Sequence, residues 1–174
     1  QADGNEVNAA WRLAVESTDQ PTLLVLTRQN LPTLEGTKVN AYEGVKRGGY
    51  ILSDATKETP DAILIASGSE VQLAMEAQKN LREDGIDVRV VSLASWDRFD
   101  KQDESYKQKV LPKAVKNRIA IEMGSPLGWE RYVGLEGKVM GITTFGASAN
   151  GEKLIEEYGF TLENVINSVK NLVN

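Results

Sequence analysis

The chain has 174 residues, with 20 Lys and Arg against 25 Asp and Glu (formal net charge −5), and contains neither Cys nor His. Its length suits one generous domain, or one domain joined to a piece of another, and 41% hydrophobic with 26% charged residues excludes a disordered chain. Without Cys or His there are no disulfides, thiolate nucleophiles, imidazole bases or zinc sites built on those ligands, and the acidic balance argues against nucleic acid.

Asp3, with Glu6 three residues on, reads as a capping box opening a helix on which Val7, Ala10, Trp11, Ala14 and Val15 recur at helical spacing. Pro21 stops it, and Thr22–Thr27 reads as a strand buried on both faces, the kind found in parallel sheets. Apolar runs such as Leu23–Leu26 are far short of the ~20 residues a membrane span needs. Residues 28–48 show no period and are punctuated by Pro32, Gly36, Gly44, Gly48 and Gly49, so they are expected to be an interdomain linker.

Regular alternation follows. Tyr50–Leu52 reads as a short edge strand and Asp61–Ser67 as a buried one. Ser69 with Gln72 reads as a second capping box, opening a helix with Val71, Ala74, Met75 and Leu81 on one face and Gly85 at its end. Val88–Leu93 is the next strand, Lys101–Val110 a basic helix ending before Pro112, and Arg118–Glu122 and Val139–Thr143 two further strands. Gly151–Tyr158 is a short helix, and Leu162–Val173 a strongly amphipathic one behind Thr161 as N-cap. Together these predict an α/β fold: a mostly parallel open sheet with helices on both faces, preceded by an αβ remnant. The polar start, Gln1–Glu6, carries no secretory signal pattern, and without an initiator Met the chain is expected to be a processed or excised piece, with the cytoplasm as its default location.

Five stretches are candidates for chemistry. Arg28 follows the first strand directly, at the edge where α/β sheets collect ligands; its planar, permanently charged fork suits phosphate, and the plainer alternative is an ion pair with a nearby acid. Ser67-Gly68-Ser69-Glu70 lies between strand and helix but lacks the spacing of a dinucleotide or P-loop, and Glu70 would repel a phosphate, so a capped turn is expected. Glu122 at a strand end reads as a structural acid rather than a base, while Trp129, beyond Gly124 and Gly128, could anchor an interface. Phe145–Gly151 reads as a turn with a helix cap rather than an anion nest. Lys101–Arg118 carries six basic residues against Asp103 and Glu104, which in an acidic chain reads as a solvated face. Neighbouring acids such as Glu83-Asp84 and Glu156-Glu157 point apart on a helix and make poor acid/base pairs or metal cages.

Ala2-Asp-Gly-Asn-Glu6, Leu26-Thr-Arg-Gln-Asn-Leu-Pro32, Gly44-Val-Lys-Arg-Gly-Gly-Tyr50, Ala66-Ser-Gly-Ser-Glu-Val71, Ile121-Glu-Met-Gly, Gly128-Trp-Glu-Arg-Tyr132, Phe145-Gly-Ala-Ser-Ala and Gly151-Glu-Lys-Leu appear in one order over nearly the whole chain. In that order they resemble the C-terminal third of the transketolase family. The resemblance implies that residues 1–34 are the tail of a thiamine pyrimidine-binding domain, 35–48 a linker, and 49–174 a transketolase C-terminal domain. It further implies a homodimer that transfers a two-carbon ketol unit between sugar phosphates in the pentose phosphate pathway, using thiamine diphosphate with Mg²⁺ or Ca²⁺. In that family the Arg of the Thr/Ser-Arg-Gln-Asn-Leu run contacts the sugar phosphate, a role that would fall to Arg28.

The family's Gly-Asp-Gly…Asn cofactor motif has no true copy here: Ala2-Asp3-Gly4 followed by Asn30 mimics its spacing, but Ala replaces the first Gly and Leu31 the second Asn. With no His either, the resemblance implies a portion that is inactive alone and holds neither cofactor nor metal. Residues 1–30, cut off from their parent sheet, are expected to be disordered or packed against a neighbouring molecule, leaving Trp11, Val15 and Leu23–Leu26 partly exposed. The competing readings are a noncatalytic interaction or regulatory domain presenting Trp96 and Trp129, and another thiamine enzyme: dihydroxyacetone synthase, 1-deoxyxylulose-5-phosphate synthase, or the β subunit of a 2-oxoacid dehydrogenase.

Overall fold

The computed structural model describes residues 1–173. One five-stranded sheet of order β1-β3-β2-β4-β5 organises the chain: β1 (Tyr50–Ser53), β2 (Ala62–Ala66), β3 (Val88–Ser92), β4 (Arg118–Ile121) and β5 (Lys138–Met140). Strands β2 to β5 are mutually parallel, while β1 runs antiparallel along β3 and pairs Tyr50 with Ser92. The expected mostly parallel sheet is therefore present, with Tyr50–Ser53 at its edge.

Helices cover both faces because β2 is apolar at every position. Ala62, Leu64 and Ala66 point into a core shared with α3 (Glu70–Glu83) and α8 (Leu162–Val173) through Val71, Ala74, Leu81, Val165 and Val169. Ile63 and Ile65 point the other way, onto Phe99 of α4 (Trp96–Asp100), Val110 of α5 (Glu104–Val110) and Tyr132 of α6 (Glu130–Val133). Alternate side chains of one fully buried strand thus feed two separate cores. Helix α7 (Gly151–Glu157) is capped by Asn150, whose side chain accepts from the Glu152 N–H at 2.9 Å.

The N-terminal third departs from expectation. Helix α1 (Gly4–Glu16) forms as read, but α2 (Thr37–Arg47) occupies most of the stretch expected to be structureless. The buried face of α2 consists of small or β-branched residues, Thr37, Ala41, Gly44 and Val45, which lets α1 approach through Ala9, Ala10 and Leu13. Helix α2 ends at Gly48 (φ +88°), where a Cβ would stand 2.3 Å from both the Phe99 nitrogen and the Ser95 carbonyl oxygen. Residues 1–16 are accordingly ordered and packed against α2 within the chain, where disorder or packing on a neighbouring molecule was expected.

Thr22–Thr27 forms no strand, and Leu23 and Val25 are exposed. A strand exists only against a partner that takes its N–H and C=O groups, and no described strand lies beside this run. Trp11 and Val15 are exposed as well.

Both expected capping boxes are wired differently. Asp3 does cap α1, accepting the N–H groups of Asn5 and Glu6 at 3.0 Å, but Glu6 does not reach back to Asp3. Its Oε2 accepts the Ala2 N–H at 2.7 Å, and its Oε1 turns into the core to accept the Tyr50 hydroxyl at 2.9 Å and the Ser92 hydroxyl at 2.6 Å. Ser69 is already helical and caps nothing; its hydroxyl donates to Glu70.

Glu6 is fully buried and fastens α1 to β1 and β3. Glu6→Ala orphans the Ala2 N–H and both hydroxyls, and is expected to cost about 3–5 kcal/mol in urea unfolding at neutral pH, with Glu6→Gln costing less because it keeps one acceptor oxygen.

Candidate functional site

The sheet order changes direction between β2 and β4: the chain leaves β2 for β3 on one side and returns as β4 on the other. Such a reversal opens a crevice beyond the carboxyl ends of the two strands, where ligands of open α/β sheets bind. The Ser67–Glu70 turn and Glu122–Gly124 meet there. The Met123 N–H donates to Glu70 Oε1 at 2.6 Å, the Ser69 hydroxyl to Glu70 Oε2 at 2.8 Å, and the Ser67 hydroxyl to Glu122 Oε2 at 3.2 Å. Burial pushes the Glu122 carboxyl above its ordinary value of 4.5, the Glu70 charge pushes the same way, and the Ser67 hydrogen bond partly offsets both. Two acids filling the crevice make it hostile to phosphate, and the backbone N–H of Met123 is already taken.

Arg28 lies outside this crevice, on the exposed segment between α1 and α2, and has neither an ion pair nor a hydrogen bond among the described residues. Its neighbours Gln29 and Asn30 line a cavity of about 640 Å³ whose other walls include Gln72, Met123, Ile142, Asn150 and Phe160. Two stretches far apart in sequence, Thr27–Asn30 and Phe145–Gly151, are thus brought together, with the start of α3 beneath them. Gln29, Asn30 and Gln72 were not foreseen as site residues; the first two were legible only as the continuation of the Arg28 run.

Two candidates belong to the scaffold instead. Trp129 is 1% exposed and packs edge-on against Trp96 at 5.0 Å and against Tyr132 at 6.0 Å, so it is a core residue rather than an interface anchor. Its sequence resembles an interface signal because Gly128 (φ +90°) is needed to bring the backbone close to the Trp96 ring. At the end of the basic stretch, Arg118 is no solvated charge: its guanidinium donates to the carbonyls of Leu111, Pro112, Val115 and Tyr132, tying the α5–β4 connection and helix α6 to β4. Lys107 and Lys113 pair with Glu104, as a solvated face would.

No group of three or more acids is placed to hold a metal ion among the described residues. Asp3, the one acid in a Gly-Asp-Gly-like setting, has both oxygens engaged: Oδ1 accepts the cap N–H groups, and Oδ2 accepts the Leu34 N–H at 2.9 Å and the Thr37 hydroxyl at 2.5 Å. Such a carboxylate does not fit a divalent cation or the diphosphate it would carry.

A family model described as "Transketolase-like TK C-terminal domain" matches residues 48–161. The transketolase of Bacillus subtilis (strain 168) is 62% identical over 173 residues, covering 99% of this chain and 26% of that protein. Among solved structures, the transketolase of Leishmania mexicana superposes with a TM-score of 0.90 at 36% identity over 99% of this chain and 24% of its own. That of Pichia stipitis, in complex with sedoheptulose-7-phosphate, gives 0.88 at 42% over the same shares. The chain spans about a quarter of the length of the relatives it matches.

An acid whose folded pKa is raised contributes stability below its ordinary value of 4.5, and loses it as pH climbs through the raised value. Glu122→Gln keeps an acceptor for Ser67 and removes the titration, so its stability relative to wild type is expected to improve as the pH rises above about 4 and to level off once the pH has passed the raised value. Urea midpoints across that range check it; a constant gap would show that Glu122 does not carry the shift.

Proposed function

The chain belongs to the transketolase C-terminal domain family, and from that premise we propose that it is the C-terminal portion of a transketolase acting on sugar phosphates. Residues 1–34 then belong with the pyrimidine-binding domain, 35–48 join the domains (with α2 as a rigid rather than a slack connection), and 49–174 form the C-terminal domain. Two observations support this division: the family match begins at residue 48, and Trp11, Val15, Leu23 and Val25 are exposed as they would be on a segment parted from its own sheet.

The observation that carries the role of this portion is Arg28. It is a guanidinium with its whole donor fork uncommitted among the described residues, in a chain otherwise matched end to end to transketolases. A planar fork of that kind takes a phosphate dianion through two parallel hydrogen bonds, and the Pichia stipitis relative was solved with a sugar phosphate bound. Thiamine diphosphate and its Mg²⁺ or Ca²⁺ supply the carbanion chemistry in this reading, and they are held by sequence other than this chain, since Asp3 does not fit them. The reading extends to a cytoplasmic homodimer working in the pentose phosphate pathway.

In the intact gene product, Arg28→Ala is expected to raise KM at least about tenfold for phosphorylated donors and less than about twofold for unphosphorylated ones, with Arg28→Lys in between. Equal losses for both substrate classes would make Arg28 structural. These 174 residues alone, supplied with thiamine diphosphate and Mg²⁺, are expected to give no ketol transfer; turnover would overturn the division of labour.

A further inference from the structure

Arg118 opens β4 as a half-buried guanidinium that no carboxylate neutralises among the described residues; burial alone acts on its pKa, and lowers it. The carbonyls of Leu111, Pro112, Val115 and Tyr132 take at most four of its five N–H groups, which leaves one on Nη1 open. It lines a cavity of about 190 Å³ together with Lys107, Lys113 and Arg131, with Asp100 and Glu104 as the acids of the same wall. Four cations thus face two acids, in a chain whose net charge is −5.

Donors also outnumber free acceptors there. Gln108, in the same wall, gives its side-chain oxygen to the Lys113 N–H at 3.0 Å, which leaves its amide N–H groups unspent among the described residues. The Lys113 ammonium stands 3.8 Å from Glu104, too far for a hydrogen bond. That of Lys107 meets Glu104 Oε1 at 2.9 Å and the Asp100 carbonyl at 3.3 Å, one short of its three N–H groups. Asp100 has both carboxylate oxygens occupied, by Arg131 at 2.8 Å and by the Tyr132 hydroxyl at 3.0 Å. The Glu104 side chain is 70% exposed, so its pairs with the two lysines are weak and give way to a stronger anion.

We propose that this cavity is an anion site for a phosphate dianion, inorganic or carried on a small metabolite. Lys107 reaches it from α5, Lys113 from the turn that follows, and Arg118 from β4. Donors arriving from three elements suit an oxyanion with at least three strong acceptor oxygens better than a flat carboxylate with two. The volume lies below the ~300–1,000 Å³ of pockets for larger ligands and suits one such group. A neighbouring cavity of about 200 Å³ shares Lys113 and Arg118, adds Lys116 and Glu136, and has room for a carbon chain. Both are built from residues 99–136, inside the matched domain, so residues 1–34 and the sheet they are parted from have no share in them. Because β4 begins at Arg118, the site stands at the amino end of the parallel strands, away from the crevice and from Arg28.

The test uses the intact gene product saturated with thiamine diphosphate and Mg²⁺ and carrying Arg28→Ala, so that it is independent of the reading of Arg28. Equilibrium dialysis of radiolabelled inorganic phosphate at low ionic strength is expected to find one ion per chain at this site. Lys113→Glu changes an exposed side chain and is expected to weaken binding at least about tenfold, the weight of one hydrogen bond between charged groups. Glu104→Gln removes the competing acid and is expected to tighten it about threefold. Lys109→Glu makes the same charge change on α5 outside the cavity and is expected to weaken it less than about threefold. Displacement by glycerol 3-phosphate would support a site for monoesters, and resistance to it a site for the free ion. Absence of bound phosphate, equal effects of Lys113→Glu and Lys109→Glu, or weaker binding in Glu104→Gln would each overturn the proposal.

Discussion

Two buried carboxylates in the first turn of α1 constrain everything upstream of the sheet. A charge can be buried only when its lone pairs are met, and Asp3 and Glu6 are met by groups drawn from four places: their own helix, the entry to α2 at Leu34 and Thr37, the first residue of β1, and the last of β3. The position of α1 against the sheet is thus set by acceptor geometry, where apolar packing alone would tolerate sliding. Glu6 also explains why the Tyr50 hydroxyl holds its proton far above the ordinary range: burial and the adjacent carboxylate both oppose a second negative charge.

The carboxyl rim of the sheet is divided along electrostatic lines. Glu70 and Glu122 occupy the crevice between β2 and β4 and spend their acceptors on local donors. The guanidinium of Arg28 lies on the neighbouring segment, beside a cavity whose lining is mostly amide and apolar residues with one acid, Glu152. With Glu70 and Glu122 engaged and Arg28 uncommitted, an anion approaching this rim meets attraction at Arg28 and repulsion at the crevice, which favours a single orientation.

Legibility in the sequence followed the strength of the local signal. β2 was plain because a strand buried on both faces is apolar at every position, β3 because Val88, Val90 and Val91 keep most of that signal around Arg89, and α8 because its apolar stripe is long and regular. α2 escaped because its buried face is made of Thr37, Ala41 and Gly44, which carry little hydrophobic signal yet are what close helix packing requires. Thr22–Thr27 has strand composition, but composition cannot supply the pairing partner. The cap at Asp3 was read from spacing, whereas the burial of Glu6 depends on Tyr50 and Ser92, residues 44 and 86 positions away. Arg28 was singled out by its place after an apolar run; the cavity beside it, assembled from four separate stretches, had no signature in any one of them.

The reversed direction of β1 settles which end of the molecule the earlier residues reach. Because Tyr50 pairs with Ser92, the chain enters the sheet at the rim where its parallel neighbours finish. Had this strand run with the others, its first residue would stand at the opposite rim, about 15 Å away across a five-residue strand. One inverted hydrogen-bonding ladder therefore converts nearness in the primary structure into nearness in space, delivering residues 1–49 to the side on which the crevice and cavity open without any crossover of their own.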